Sequence, residues 1–230
     1  MPAWKRFSDL LCVILSLPLA IPLMLAIACW IKLVSRGPAL FRQERIGFGG
    51  KRFTLYKFRS MHPGAPTRDH EAHVGRLVES DSPMIKLDLL GDSRLITGGS
   101  FLRSAGLDEL PQLLNVMLGE MSLVGPRPCL LEEYGFFTLS QRERFTVLPG
   151  LTGFWQVNGK NRTTFREMNA MDVHYARRCS PVLDLGIVLL TPLTLVGQMA
   201  DCLARRRRLS PPASDAPVLG YGVQGMTDRV

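Results

Sequence analysis

Hydrophobic and polar positions sort along the chain into distinct blocks. Leu10 to Ile31 is a run of 22 residues without a charge. At ~1.5 Å per residue, a helix of that length crosses a ~30 Å hydrocarbon core. A plain transmembrane span is one reading, but two features favour another. Pro18 and Pro22 sit near the middle, and each removes a backbone donor and strains the preceding turn. Basic residues also flank both ends, with Lys5 and Arg6 before the run and Lys32, Arg36, Arg42 and Arg45 after it. Positive charge marks the cytoplasmic side. A proline-broken helical hairpin that enters and returns through one leaflet keeps both ends there. The run is too long for a cleaved signal peptide, and no small-residue cleavage site follows it.

Beyond it, Gly37 to Met61 reads as a β-hairpin, with aromatic-containing runs on either side of a Gly47-Phe48-Gly49-Gly50 turn. Residues 62–98 are polar and read as loop with short helical pieces. Leu110, Leu113, Leu114, Met117 and Leu118 recur at helical spacing and predict a buried helix face, with Gly119 as its C-cap. "MSLVGPRP" predicts a short strand entering a turn. Leu131 to Thr146 reads as helix, and "LPGLTGFWQVNGKNRTTF" as glycine-rich loop. Met168 to Arg178 predicts a short helix. Leu185 to Val196 is an uncharged, mostly apolar stretch interrupted by Gly186 and Pro192. It is too short to span and suits a core or interfacial helix. Arg205 to Arg208 follow, and a Pro/Ala/Gly/Ser-rich tail from Ser210 predicts disorder.

The 230 residues suffice for one ordinary domain, and the net charge is +8. A basic balance suits an anionic partner: nucleic acid, a phosphorylated ligand or a membrane surface. The five cysteines have no metal-like spacing and read as free thiols in a reducing compartment. His70 and His73, at i, i+3 spacing, read as a solvated loop rather than a metal site. Lys86, Asp88, Asp92 and Arg94 read as surface charge. Trp30 suits a membrane interface, and Trp155 suits packing within its loop.

The chemistry centres on "GLDELPQLLNVMLG", Gly106 to Gly119. Pro111 fits a helix first turn, which puts Asp108 near the N-cap, and Asp is a preferred cap. Cations cluster around it in sequence: Arg103, Arg127 in "GPRP", and Lys57 and Arg59 in "YKFRSM". Helix starts attract anions. A carboxylate there can hold Mg²⁺, which usually bridges to substrate phosphates, or attack phosphorus as a nucleophile. Cap and chemistry both fit the local residues.

Several motifs in order resemble the bacterial sugar transferases, also called monotopic phosphoglycosyl transferases. They are "KRFSDL", "GPALFRQERIG", "YKFRSM", "LRSAGLDELPQLLNVMLGEMSLVGPRP" and "PGLTGFWQVNGKN". The likeness covers about Lys5 to Gly197. It implies an α/β fold, mostly helical with a small β-hairpin and strands, and an N-terminal re-entrant membrane helix on a compact cytoplasmic catalytic domain. It further implies transfer of a sugar-1-phosphate from a UDP-sugar to a polyprenyl (undecaprenyl) phosphate, with release of UMP. Asp108 falls at the family's nucleophile and Glu109 at its supporting acid. Mg²⁺ is the implied cofactor, with Asp108 as its ligand. Arg103, Arg127, Lys57, Arg59, Gln156, Asn158 and Arg162 fall at or near phosphate- and substrate-handling positions. Pro18 and Pro22 take the place of the membrane-helix break.

The resemblance implies residence on the cytoplasmic face of the bacterial inner membrane, contact with its anionic leaflet, and no nucleic-acid partner. Self-association into a homo-oligomer stays open. The expected units are an anchoring helix over 1–36, a catalytic domain over 37–200, and a basic run with a disordered tail over 201–230. Two departures stand out. Ile21 precedes Pro22 where some small members have serine, and Leu148 precedes "PG" where arginine is common. A glycosidase fits poorly, because its two carboxylates flank a sugar, whereas adjacent helical residues diverge by ~100°. A membrane-anchored adaptor that binds anionic lipid or nucleic acid through its basic surface is the non-enzymatic alternative.

Overall fold

The computed structural model describes residues 1–64, 83, 94–159 and 162–209, with side chains to residue 200. Its helices are α1 (Ala3–Val34), α2 (Gly99–Ser104), α3 (Gln112–Leu118), α4 (Leu131–Tyr134), α5 (Phe154–Asn158), α6 (Phe165–Arg178) and α7 (Pro181–Leu209). Single 3-10 segments lie at Leu107–Glu109 and Gln141–Thr146. Two small sheets complete it. β1 (Leu40–Ile46) and β2 (Arg52–Phe58) pair antiparallel, from Leu40 opposite Phe58 to Ile46 opposite Arg52. β3 (Ser122–Val124) and β4 (Gly150–Thr152) pair in parallel. The mostly helical α/β expectation holds. His70, His73, Lys86, Asp88, Asp92 and the tail from Ser210 lie outside the described residues.

α1 organises the packing. Its buried residues are Lys5, Asp9, Val13, Ala20, Ile27 and Ile31, steps of four and seven that form one stripe. Val13 and Ala20 pack with Leu55, Leu113, Val116 and Met121. Ile27 and Ile31 pack with Phe58, Ile96 and Leu102. Both ends of the helix therefore rest on the same domain. The helix is continuous through Pro18 and Pro22, so the expected break there is not a reversal into two segments. The stripe of contacts runs past both prolines and holds the helix to the domain side-on. A serine back-bond also exists, displaced from the position before Pro22. Ser16 Oγ donates to the Val13 carbonyl at 2.7 Å, in the turn before Pro18.

The N-terminal end of α1 is polar where it is buried. Lys5 Nζ donates to Asp184 Oδ2 at 2.5 Å and lies 3.0 Å from the Tyr175 hydroxyl. Tyr175 in turn donates to Asp184 Oδ1 at 2.7 Å. The Leu123 N–H donates to Asp9 Oδ1 at 3.1 Å. Arg6 donates to the carbonyls of Val116 and Met117, at the last turn of α3. The first turns of α1 thus tie together β3, α3, α6 and α7.

Other expectations change. The predicted buried face of α3 is mostly its outer one: Leu114, Met117 and Leu118 are exposed, while Gln112, Leu113, Asn115 and Val116 are buried. Asn115 explains the rotation. Its side chain accepts from Tyr56 N–H and donates to the Thr54 carbonyl, and so clasps β2. Leu131 to Thr146 is not one helix. Phe137 turns inward after Gly135 to stack on Phe165 at 5.6 Å, which ends α4 early. The "PGLTGFWQVNG" loop contains β4 and α5. α7 continues through Gly186, Pro192 and the basic run, across the expected boundary at 200.

The exposed side of α1 carries Phe7, Leu11, Ile14, Leu15, Leu19 and Leu25. That of α7 carries Val182, Leu185, Leu189, Leu193 and Val196. Ala3–Val34 and Pro181–Ala200 are both long and apolar enough to cross a membrane, with mean hydropathies of 2.7 and 1.7. Neither is the buried core helix of a water-soluble domain, since most of each apolar surface faces outward.

The Lys5–Asp184 pair tests the clamp. Removing one member of a buried pair typically costs about 3–5 kcal/mol, because the other charge is stranded. Lys5→Met should therefore lower stability to unfolding in detergent by about 3 kcal/mol. The double variant Lys5→Met/Asp184→Leu should recover most of that loss. Equal stability of the single and double variants would show that the two charges are not coupled.

Candidate active site

Asp108 and Glu109 occupy a single 3-10 turn, entered through Gly106 at φ +69°. α3 begins only at Gln112, after Pro111, with no side chain capping it. Asp108 is not the cap of that helix, which corrects the cap reading. Its side chain is buried. Glu109 faces Lys57, whose Nζ lies 3.5 Å from Glu109 Oε1. Burial pushes the Lys57 ammonium below its ordinary value, against the pull of Glu109 and Asp108. Arg103, on α2, donates to Ser60 Oγ at 3.3 Å, just beyond the end of β2.

The opposite wall is the "VGPRP" turn after β3. Glycine is required where this turn crosses the "PGLTG" loop. A Cβ on Gly150 would sit 2.0 Å from the Gly125 nitrogen, and one on Gly125 would sit 2.3 Å from the Leu148 carbonyl oxygen. These glycines let two backbones touch, and the Gly125 N–H donates to the Thr152 carbonyl at 2.9 Å. Arg127 leaves this turn and donates to Glu133 Oε1 at 3.0 Å. Glu133 is buried, and its other oxygen accepts from the Leu130 N–H at 2.8 Å. Burial alone would raise the Glu133 carboxyl, but Arg127 and Arg45 hold it down to about 2. Behind them, Arg144 bridges the Arg127 carbonyl (2.8 Å), Asn169 Oδ1 (2.7 Å) and Asp172 Oδ2 (2.6 Å). Burial raises Asp172 to about 6 despite Arg144.

Of the residues expected here, the fold groups Lys57, Arg103, Asp108 and Glu109, and brings Arg127 to them through Arg45. Lys57 feels the charges of Glu109, Arg45, Asp108 and Arg103, and Arg45 feels those of Arg127 and Glu109. Arg59 does not join them. It turns to the C-terminal end of α1, donating to Ser35 Oγ, the Ser35 carbonyl and the Pro38 carbonyl, so its part is structural. Gln156 donates to its own loop at Leu151, Asn158 folds back on the Phe154 carbonyl, and Arg162 is exposed. Sequence reasoning missed Arg45, Glu133, Arg144, Asn169 and Asp172 as a connected set. Their only signal was polar residues scattered through segments read as hairpin or helix.

A domain bound side-on to two long apolar helices, with a buried carboxylate among cations, defines a class suited to phosphate chemistry beside a lipid surface. Residues 1–198 match the bacterial sugar transferase family, and the chain belongs to that family. It is 39% identical over 202 residues to the UDP-glucose:undecaprenyl-phosphate glucose-1-phosphate transferase of Xanthomonas campestris pv. campestris, covering 84% of this chain and 39% of that protein. It is 40% identical over 156 residues to the galactosyl transferase CpsE of Streptococcus agalactiae, covering 67% of this chain and 34% of that one. The sugar transferase EpsL of Bacillus subtilis is 39% identical over 188 residues, covering 81% of this chain and 84% of its own. The chain thus spans well under half the length of the first two relatives and most of the third.

Glu133 gives the network a pH signature. Its carboxyl lies at about 2 in the fold against an ordinary 4.5. A depressed carboxyl stabilises the fold above its unfolded value, and the contribution disappears as pH falls through the folded one. Full loss corresponds to about 3 kcal/mol. Asp172 acts with the opposite sign and is common to both proteins compared. Stability curves of wild type and Glu133→Gln, followed from about pH 6 down to about pH 2, should therefore start apart and converge. A constant gap across that range would show that Glu133 contributes by shape alone.

Proposed function

We propose that this chain transfers a sugar-1-phosphate from a UDP-sugar to a polyprenyl phosphate through a covalent intermediate on Asp108. The observation that carries the reading is a buried carboxylate, Asp108, beside Lys57 in a group of cations that includes Arg103 and Arg45, next to a domain face made of apolar helices. The printed activity of the Xanthomonas relative, glucose-1-phosphate transfer from UDP-glucose to undecaprenyl phosphate, supports the same chemistry.

In the first half-reaction, an Asp108 carboxylate oxygen attacks the sugar-bearing phosphorus. A new P–O bond forms as the bond to the bridging oxygen breaks, and UMP leaves with that electron pair. In the second, an oxygen of the lipid phosphate attacks the same phosphorus and releases the Asp108 carboxylate. The product is a polyprenyl diphosphate sugar, the opening membrane step of a polysaccharide or glycoconjugate. Lys57 and the arginines stabilise charge on the equatorial oxygens and on departing UMP. Glu109 holds Lys57 in place.

The donor set fits Mg²⁺. Asp108 offers hard carboxylate oxygens, and among the described residues no cluster of three metal-ligating side chains exists. Mg²⁺ needs only one or two carboxylates when substrate phosphates and waters complete its octahedron. When bound, it would neutralise diphosphate charge.

Both ends of α1 rest on one domain without a reversal between them, which supports a helix lying along a single leaflet, with the N-terminus and catalytic domain on the same, cytoplasmic side. Pro2→Cys, in a background lacking Cys12 and Cys29, should not react with an impermeant thiol reagent applied to intact cells. Efficient reaction would restore a single transmembrane span.

Asp108→Asn separates the nucleophile from its surroundings. Wild type mixed with UDP-sugar alone should release about one equivalent of UMP and hold a hydroxylamine-sensitive phospho-sugar, as expected of covalent catalysis. The variant should melt near the wild-type temperature yet release no UMP above background. Substantial turnover by the variant would exclude the intermediate. A panel of UDP-sugars in the same assay identifies the donor.

A further inference from the structure

We infer that Arg45 is an additional anion-binding residue of this site, and that the diphosphate of the bound nucleotide supplies the direct ionic partner it lacks. The inference rests on the reading above for the class of ligand. Arg45 closes β1, and its side chain is 6% exposed. It donates through Nε and Nη2 to Gln43 Oε1, at 3.2 and 2.7 Å, and through Nη1 to the Pro128 carbonyl at 3.3 Å. All of these acceptors are neutral. Among the described residues, no carboxylate forms a salt bridge with it.

The other buried cations show how unusual this is. Arg144 is paired with Asp172 at 2.6 Å, and Lys5 with Asp184 at 2.5 Å. Arg59 also bonds only neutral oxygens, but it lies at the C-terminal end of the long helix α1, where the dipole supplies partial negative charge. Arg45 has no such direct partner: Glu133 and Glu109 act on it, but each is bonded to another cation, Arg127 and Lys57. A buried charge that shares its counter-charges with other cations is costly to the fold, and a guanidinium is the form least able to escape by losing its proton.

Position indicates what the charge is for. On the hairpin, Arg45 lies opposite Phe53 and Lys57 opposite Phe41, so Arg45 and Lys57 share one face. A reciprocal backbone bridge between Ile46 and Cys129 fixes the end of β1 beside the turn that carries Arg127. Arg45 therefore stands between the cations on either side of the dyad. Its repulsion from Arg127 and its burial together lower it to about 10. A dianionic ligand relieves both penalties, and the planar fork suits phosphate oxygens.

The test is calorimetric titration of UDP, and separately of inorganic pyrophosphate, into the detergent-purified full chain and its Arg45→Gln and Arg45→Lys variants. Arg45→Gln should weaken UDP binding at least about tenfold, because a charged contact is lost. Arg45→Lys keeps the charge and should stay within about threefold. Wild-type affinity in Arg45→Gln, or an equal loss in both variants, overturns the inference. If Arg45→Gln does not fold, Arg45→Lys decides alone by the same threefold and tenfold limits. If neither folds, Arg45 is a scaffold residue and the inference fails. Wild-type binding of pyrophosphate but not UDP would sink the nucleotide reading and leave the anion site standing. Binding of neither would overturn both.

Discussion

Burying positive charge is the constraint on which this structure turns. A site that handles a diphosphate needs several cations in one place, and cations brought together in a small domain repel one another. The fold answers by giving most of them a fixed partner outside the substrate space. Arg127 has Glu133, Arg144 has Asp172 and Lys57 has Glu109. These pairings come from β2, α4, α6 and the turn after β3, so the charge balance also joins the parts of the domain. Arg144 bonds the backbone of Arg127 rather than its side chain, which fixes the turn and leaves the guanidinium to Glu133. Such pairs contribute little net stability compared with apolar packing of the same volume. Their value lies in holding donors in a set geometry before any ligand arrives.

The same reasoning accounts for α1. An apolar helix whose buried residues include Lys5 and Asp9, and whose exposed residues are leucines and isoleucines, is inverted for water. It is normal at the edge of a bilayer, where lipid covers the apolar side and the protein shields the charges. The outer side of α3 and most of α7 follow the same rule. Leu195 of α7 packs against Gly106, immediately before the turn that carries Asp108 and Glu109, with a side-chain carbon 3.3 Å from where a Cβ would stand. The candidate site is thus built onto an apolar helix, as suits the lipid-linked acceptor proposed for it.

Periodicity made α1, the β-hairpin, β3 and the short helix before Cys179 legible in the sequence, because each follows from spacing and turn residues alone. It failed where the covering solvent mattered. Leu114, Met117 and Leu118 are as regular as any core stripe, but periodicity says only that a face avoids water, not whether protein or lipid covers it. Phe137 shows another limit, since its stacking on Phe165, from a distant segment, and its edge contact with Phe145 ended a helix that local propensity would have continued. Within the site, motif order pointed to Lys57, Arg103, Asp108, Glu109 and Arg127. Arg59, two residues from Lys57 in the same motif, belongs to the end of α1, because the strand stops at Phe58. Arg45 stayed hidden because its significance is that the nearby carboxylates are bonded to other cations, which only a folded arrangement reveals.

The dyad itself joins sequence to chemistry. In an α-helix, neighbours diverge by ~100°, and in a 3-10 turn by ~120°, at three residues per turn. Two adjacent carboxylates in such a turn cannot face one target, and here they do not need to. Asp108 points into the domain, and Glu109 points to the lysine on β2. Pro111 then starts α3 without needing a capping side chain, since its own missing N–H removes one of the donors a cap would serve. The proline that suggested Asp108 was a helix cap is therefore part of what frees it from that duty. In the proposed mechanism a single turn thus supplies one carboxylate for the phosphorus and one for the cation beside it.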